Sequence, residues 1–446
     1  MVRTCFLPKV GWLLLCLTAV ACCVECQHQQ KPLINQKPLG YPTYTIREQT
    51  DQLCDAGSRF WTGSVNITAN KSMFFWFFES RHDPDTDPLV LWMSGQPIGV
   101  GFSHITDRDD IAVTLQQGAR DVYSFLSHLS TEVFPNLSGR PWNLAGESMG
   151  GHYAIGYAHF MASLEGQAPR VNISSAVIID GYVDASRQSV GYYDFFCSDW
   201  AQDGRKAPLM NNSACVEMAA AVPSCELLAS HCRESYDILV CEQSFMACEE
   251  TVGKHFLSGV VPGGWDPYDV RHTCETPPLC SSFAHGRSWE YFNQPWVQEQ
   301  LGQSYYPFEL IDFDTGIRWQ QAKSLYLPVT REMTWLLDNT DIRILFINGN
   351  DDIVILPNVM HGLITDLVTR LVKCDCWTSS PGTAKRSTEA SAIKVGTITR
   401  ETSHPTSKVM RNEGAFGKAR IAWRCILSMK LDISHLIISQ KQLAQC

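Results

Sequence analysis

Gly146-Glu147-Ser148-Met149-Gly150 is entered from the strand-like run Trp142-Asn143-Leu144-Ala145 and left through the helix-like run Tyr153-Ala154-Ile155-Gly156-Tyr157-Ala158. Gly-x-Ser-x-Gly between a strand and a helix predicts a sharp turn that lifts a serine hydroxyl above a sheet edge. The glycines stand where a Cβ would collide. The following helix then aims its free N–H groups at whatever reacts with that hydroxyl, which suits a developing oxyanion. Alone, the pentapeptide would serve equally as a glycine-rich loop; the flanking patterns decide for the turn.

A turn of this kind needs a sheet behind it. The 446 residues, 45% hydrophobic and 18% charged, suffice for one large domain or a core with an insertion. A formal charge of −10 speaks against nucleic acid as a partner, since phosphate binding normally needs a basic face.

Arg3 and Lys9 precede an apolar run over residues 11–20 and the small residues Ala21, Cys22 and Cys23, which predicts an export signal over residues 1–26. The run is short for a membrane span, so stable membrane insertion is not expected. Cys5, Cys16, Cys22, Cys23 and Cys26 lie in that segment, and 13 of the 18 cysteines follow from Cys54 onward. An oxidising lumen would pair most of them. Asn66, Asn70, Asn136, Asn172 and Asn211 each begin an Asn-x-Ser/Thr sequon, which gains meaning only with the export signal.

Along the chain, residues 43–47, 60–68, 73–79 and 89–93 read as strands, the last two as buried ones. Residues 110–129 carry Ile111, Val113, Leu115, Val122, Phe125, Leu126 and Leu129 at helical spacing. Residues 174–180 read as the next core strand. Between Cys197 and Cys280 the composition shifts to eight cysteines, with helical stretches over 216–222 and 224–229. Eight cysteines allow about a hundred pairings, so connectivity is not legible; a zinc cluster is disfavoured by compartment and spacing. Ile342 to Gly349 is a strand and a turn, followed by Asn350-Asp351-Asp352. A carboxylate at the C-terminal end of a strand is where a site on a parallel sheet is built. Residues 373–392 are Ser/Thr/Lys-rich and read as a loop.

Gly146-Glu147-Ser148-Met149-Gly150-Gly151-His152-Tyr153 resembles the Gly-Glu-Ser-Tyr-Gly-Gly-His-Tyr signature of the serine carboxypeptidase family, with Met149 in place of tyrosine. The resemblance extends through Phe60-Trp61-Thr62-Gly63, Met73-Phe74-Phe75-Trp76-Phe77-Phe78, Pro88-Leu89-Val90-Leu91-Trp92, Gln96-Pro97-Ile98-Gly99-Val100-Gly101-Phe102-Ser103 and Tyr291-Phe292-Asn293-Gln294-Pro295-Trp296, over residues 40–401. It implies an α/β-hydrolase fold with a mostly parallel central sheet and a disulfide-rich helical insertion. The expected parts are an N-terminal core over 27–196, the insertion over 197–285, a C-terminal core over 286–401 and a divergent tail over 402–446.

The resemblance also implies a secretory serine-type carboxypeptidase, in the secreted, vacuolar or lysosomal space, acting on peptides and proteins through an acyl-enzyme without metal or cofactor. Ser148 is the expected nucleophile and Asp352 the carboxylate that orients the base. Gly95 and Met149 offer oxyanion N–H groups, and Glu147 receives the substrate's terminal carboxylate. An inactive relative and an acyltransferase on the same scaffold are the alternatives.

Two junctions depart from the family. Trp92-Met93-Ser94-Gly95 passes directly to Gln96-Pro97, where the family has a long segment carrying another core strand. Parallel neighbours need a crossover of about a dozen residues, so an interior strand and part of the oxyanion loop are expected to be missing. After Glu401 the family's Gly-His-x-Val-Pro segment is absent; His361, His404 and His435 are the histidines that follow Asp352.

Overall fold

The computed structural model describes residues 43–356 apart from 52, 96–97, 165–170, 202–204, 278–279, 281–284, 304–306 and 310, together with residue 359 and the pair 394–395. The expected export signal with its five cysteines, the expected loop 373–392, the expected tail 402–446, and His361, His404 and His435 lie outside the described residues.

The N-terminal strands β1 (Thr43–Glu48), β2 (Phe60–Asn66) and β3 (Lys71–Phe78) form an antiparallel meander. β4 (Leu89–Met93) then leaves it, while the two-residue β5 (His104–Ile105) returns to pair with the start of β3. β6 (Pro141–Glu147), β7 (Asn172–Ile179), the hairpin β8 (Trp265–Asp266) and β9 (Asp269–Thr273), β10 (Arg343–Ile347) and β11 (Lys394–Val395) complete the described strands. β4, β6, β7, β10 and β11 make a wholly parallel sheet of order β11-β10-β7-β6-β4.

Among the described residues the strands outside the β8–β9 hairpin thus form two sheets, the parallel one being the expected central sheet. The antiparallel sheet runs β1-β2-β3-β5, and no described strand joins β3 to β4. Chain length explains the split. Only ten residues separate the end of β4 at Met93 from β5 at His104, too few for a crossover and a further parallel strand. One consequence is visible on β4: Val90, in a strand flanked by buried Leu89, is 44% exposed.

Helix α1 (Leu115–His128) starts later than its apolar spacing predicts. Thr114 caps it, accepting from the Gln117 N–H while the Gln117 side chain returns to the Thr114 N–H, and this capping box leaves Ile111 and Val113 outside. Helix α2 (Met149–Ala162) is buried on nearly every face, as befits a helix wedged between a sheet and other helices. Tyr153 and Tyr157 stack at 5.6 Å, and Trp319 meets Tyr153 edge-on. The sheet side of this core is Leu144, Ala176, Ile178, Ile344 and Phe346.

The insertion follows α3 (Ala185–Tyr193) and is built on α4 (Asn212–Ser235), α5 (Ile238–Cys248) and α6 (Lys254–Gly259). All eight of its cysteines pair: Cys197–Cys215, Cys225–Cys248, Cys232–Cys241 and Cys274–Cys280. Two of these bridges are nested between α4 and α5. The two helical stretches expected on either side of Pro223 are one continuous helix, α4. A proline inside a helix costs about 3 kcal/mol. Here bridges from Cys215 and Cys225, on either side of Pro223, fasten the helix to its neighbours. Past the insertion come α7 (His285–Phe292), α8 (Pro295–Leu301), α9 (Phe313–Gln321) and α10 (Thr330–Asn339).

Candidate active site

β6, β7 and β10 end side by side, with Glu147 opposite Ile179 and Ile179 opposite Ile347. The loops leaving these three strands are stitched together by backbone hydrogen bonds. The Ser148 N–H donates to the Ile179 carbonyl at 3.0 Å, the Tyr182 N–H to the Ser148 carbonyl at 2.9 Å, and the Asp180 N–H to the Ile347 carbonyl at 2.8 Å. The C-terminal edge of a parallel sheet is thus held as one rigid platform, where sites on open α/β sheets form.

Ser148 stands at φ 56°, ψ −123°, a conformation that L side chains rarely adopt. Its neighbours show why the chain accepts it. A Cβ on Gly146 would lie 2.0 Å from the Gly150 carbonyl oxygen, and one on Gly150 would lie 2.0 Å from the Met93 carbonyl oxygen. The turn is packed too tightly for side chains on either flank. A serine at a helix start usually caps it from an extended backbone. Ser148, in its positive-φ turn, makes no such hydrogen bond and its hydroxyl is left uncommitted by the helix. The Met149 N–H, first in α2, has no acceptor within the helix.

Asp352 sits in the turn after β10. One carboxylate oxygen accepts from the N–H groups of Val354 at 2.7 Å and Ile355 at 3.1 Å. Burial pushes its carboxyl well above the usual range, reinforced by the negative charges of Asp180 and Glu147 and opposed by those two N–H donors. Asp180 is the residue that sequence reasoning passed over. It closes β7 at φ 41° and accepts from the Gly349 N–H at 2.6 Å, tying the β7 turn to the β10 turn. Burial raises its carboxyl as well. The signal was present in its place at a strand's C-terminal end, but an Asp-Gly pair there reads first as a turn.

The insertion and α3 together clamp the Asp352 loop. The Val270 N–H of β9 donates to the Asp351 carbonyl at 2.9 Å, the Ile353 N–H to the Pro267 carbonyl at 3.0 Å, and the Gln188 amide to the Val354 carbonyl at 2.6 Å. Ile353 and Leu356 are buried against Tyr192, Phe196, Met218 and Val252. Arg233 of α4 reaches the buried Asp184 at the start of α3 at 3.5 Å.

The expected residues come together in part. Glu147, Ser148 and Met149 are consecutive at the turn, half-buried, and the charge of Glu147 is felt at Asp352. Gly95 follows Ser94, whose Cα lies 3.3 Å from where a Gly150 Cβ would stand, so the loop expected to offer an oxyanion N–H begins beside the N-terminus of α2. Gln96 and Pro97, which continue that loop, lie outside the described residues. Among the described residues no imidazole hydrogen-bonds to Ser148 or Asp352. His152, in the turn motif itself, is fully buried in the core, and burial drives its pKa down to about 4.

A model of the serine carboxypeptidase family matches residues 53–97 and 95–394. The two matched segments meet at Gly95-Gln96-Pro97, the junction singled out by the sequence. Carboxypeptidase Y homolog A of Aspergillus niger is 27% identical over 344 residues, covering 67% of this chain and 59% of that protein. The vacuolar serine-type carboxypeptidase ATG42 of Saccharomyces cerevisiae is 26% identical over 338 residues, covering 66% and 64%. The chain thus spans about six-tenths of the length of these relatives. Among solved structures, Kex1, a prohormone-processing carboxypeptidase from Saccharomyces cerevisiae, superposes with a TM-score of 0.58 at 17% identity, covering 72% of this chain and 81% of that one. The fold is that of an α/β-hydrolase. No helix among the described residues is long and apolar enough to cross a membrane.

Proposed function

The chain belongs to the serine carboxypeptidase family, and from that membership we propose that it releases C-terminal residues from peptides and proteins through an acyl-enzyme on Ser148. The observation that carries the reading is the Ser148 turn: a serine at φ 56° between two glycines, at the N-terminus of a buried helix, its hydroxyl uncommitted to capping. Such a turn stores local strain for the sake of where the hydroxyl points.

In this reading the Ser148 oxygen attacks the last peptide carbonyl, and the Met149 and Gly95 N–H groups receive the oxyanion. The residue beyond the broken bond leaves as a free amino acid, and water then releases the acyl group. Glu147 recognises the substrate's terminal carboxylate by sharing a proton with it, which favours acidic pH. Asp352 holds a histidine that takes and returns the serine proton; His361, His404 and His435 are the candidates. Four disulfides in the described residues, with the export signal expected over residues 1–26, support a secretory or vacuolar compartment.

One sequence feature favours a second reading. Residues 353–446 carry no Gly-His-x-Val-Pro segment, as expected of a carboxypeptidase-like protein that binds peptide ends without cleaving them. Incubating the full chain with a blocked dipeptide at acidic pH separates the two. Amino acid release that disappears in Ser148→Ala supports the enzyme. Binding without release supports the second reading.

A further inference from the structure

Away from the Ser148 edge, a cleft of about 190 Å³ opens between the antiparallel sheet and the loop after β3, lined by Arg59, Trp61, Phe77, Pro84, Phe134 and Asn136 among others. Its floor is a trio of mutually packed rings: Trp61 against Phe77 at 5.8 Å, Trp61 against Phe134 at 5.7 Å, and Phe77 against Phe134 at 4.6 Å. Arg59 lies over the Trp61 ring at 4.8 Å and is held there by Glu48 at 2.9 Å and Glu79 at 3.6 Å. The far wall is fixed too, since the Arg140 guanidinium donates to the Pro84 carbonyl at 2.9 Å and also to that of Asp87. The cleft is smaller than the roughly 300–1,000 Å³ of pockets that enclose drug-sized ligands, and it suits a single ring.

Asn136, the first residue of an Asn-Leu-Ser sequon, stands on the rim of this cleft. It is exposed, as is Ser138, and among the described residues its amide makes no hydrogen bond. Two other sequons differ. The Asn66 amide donates to Thr43 across the strands at 2.9 Å, and the Asn70 amide donates to Asp110 at 2.7 Å. Asn172 and Asn211 are exposed, but neither lines this cleft.

We propose that Asn136 carries an N-linked glycan whose first N-acetylglucosamine docks in this cleft, its C–H face on the Trp61, Phe77 and Phe134 rings. The reading rests on passage through the secretory pathway. There the Asn136 Nδ2 attacks the anomeric carbon of a lipid-pyrophosphate-linked oligosaccharide. The N–C bond forms as the C–O bond to the pyrophosphate breaks, the amide gives up one proton, and the lipid pyrophosphate leaves. In the folded chain the polarised C–H groups of the sugar meet the electron-rich ring faces, and its hydroxyls and acetamide meet Arg59, Glu79 and Asp85 at the rim. The attached sugar is held at the cleft mouth by its own linkage, so docking needs little additional ordering.

The test is glycopeptide mapping of the full chain from a glycosylating secretory host, followed by endoglycosidase treatment of the folded protein. Asn136 should be occupied and should lose its glycan at least about tenfold more slowly than Asn211, with the difference gone after unfolding. Removing the glycan by Ser138→Ala should lower the melting temperature by about 2 °C or more, beyond the effect of Ser213→Ala, which removes the Asn211 glycan. An empty Asn136 beside an occupied Asn172 or Asn211, release as fast as at Asn211, or equal effects of the two serine variants would each overturn the proposal. No glycan at any sequon would overturn it together with the secretory reading.

Discussion

Gly150 stands so close to Met93 that a Cβ on the glycine would lie 2.0 Å from the methionine carbonyl oxygen. Through this contact the N-terminus of α2 is seated on the end of β4, and the serine turn and the loop after β4 become neighbours. The obstacle is backbone, which cannot swing aside as a side chain would. Gly150→Ala should therefore cost about 3 kcal/mol or more, at the upper end of overpacking effects. Gly95→Ala is the control: no atom lies within 4 Å of a Cβ there, and its stability should change by less than about 0.5 kcal/mol. Chemical denaturation of the two variants checks both.

The φ of 56° at Ser148 predicts an unusual ordering of variants. Alanine keeps the strain, whereas glycine relieves it. Ser148→Gly should be more stable than Ser148→Ala by about 1 kcal/mol, the lower end of what such backbone strain stores. Elsewhere in a chain the glycine variant would usually be the weaker one. Thermal melts of the two proteins decide it.

Burial, Asp180 and Glu147 raise the Asp352 carboxyl, so it holds its proton more tightly folded than unfolded. Its contribution to stability is fully present below the unfolded pKa of about 3.9 and is lost as pH rises through the raised folded value. Asp352→Asn keeps an oxygen for the Val354 and Ile355 N–H groups while removing the charge. The variant should melt above the wild type at about pH 7.5, with the difference shrinking on acidification. His152, whose pKa falls to about 4, contributes with the opposite sign, but equally in both proteins.

The nested Cys232–Cys241 bridge closes the α4–α5 hairpin. Replacing both cysteines by alanine should lower stability by about 2–4 kcal/mol, the common range for a native disulfide. Peptide mapping without reduction should return the four pairings of the insertion in the wild type.

How much of this was legible in the sequence depended on whether the signal was local. The Ser148 turn was, because glycine spacing and the flanking patterns are short-range facts. So was the break in the sheet, since the residues between Met93 and His104 can be counted against the length of a crossover. Pro223 misled because a local helix breaker was overruled by bridges to distant cysteines. The disulfide pairing and the Asp180–Asp352 proximity were not legible at all, since each depends on which chain segments the fold brings side by side. His152 lies beside the serine turn in the sequence. The helix instead turns it into the core.

The most direct measurement is the intact mass of the full folded chain after exposure to a peptidyl phosphonate that reacts with activated serines, followed by mapping of the adduct. A single adduct on Ser148, absent from Ser148→Ala and slowed in Asp352→Asn, is the result expected of a serine carboxypeptidase. A folded chain that stays unmodified under conditions that label a carboxypeptidase control would contradict the assignment of Ser148 as a working nucleophile.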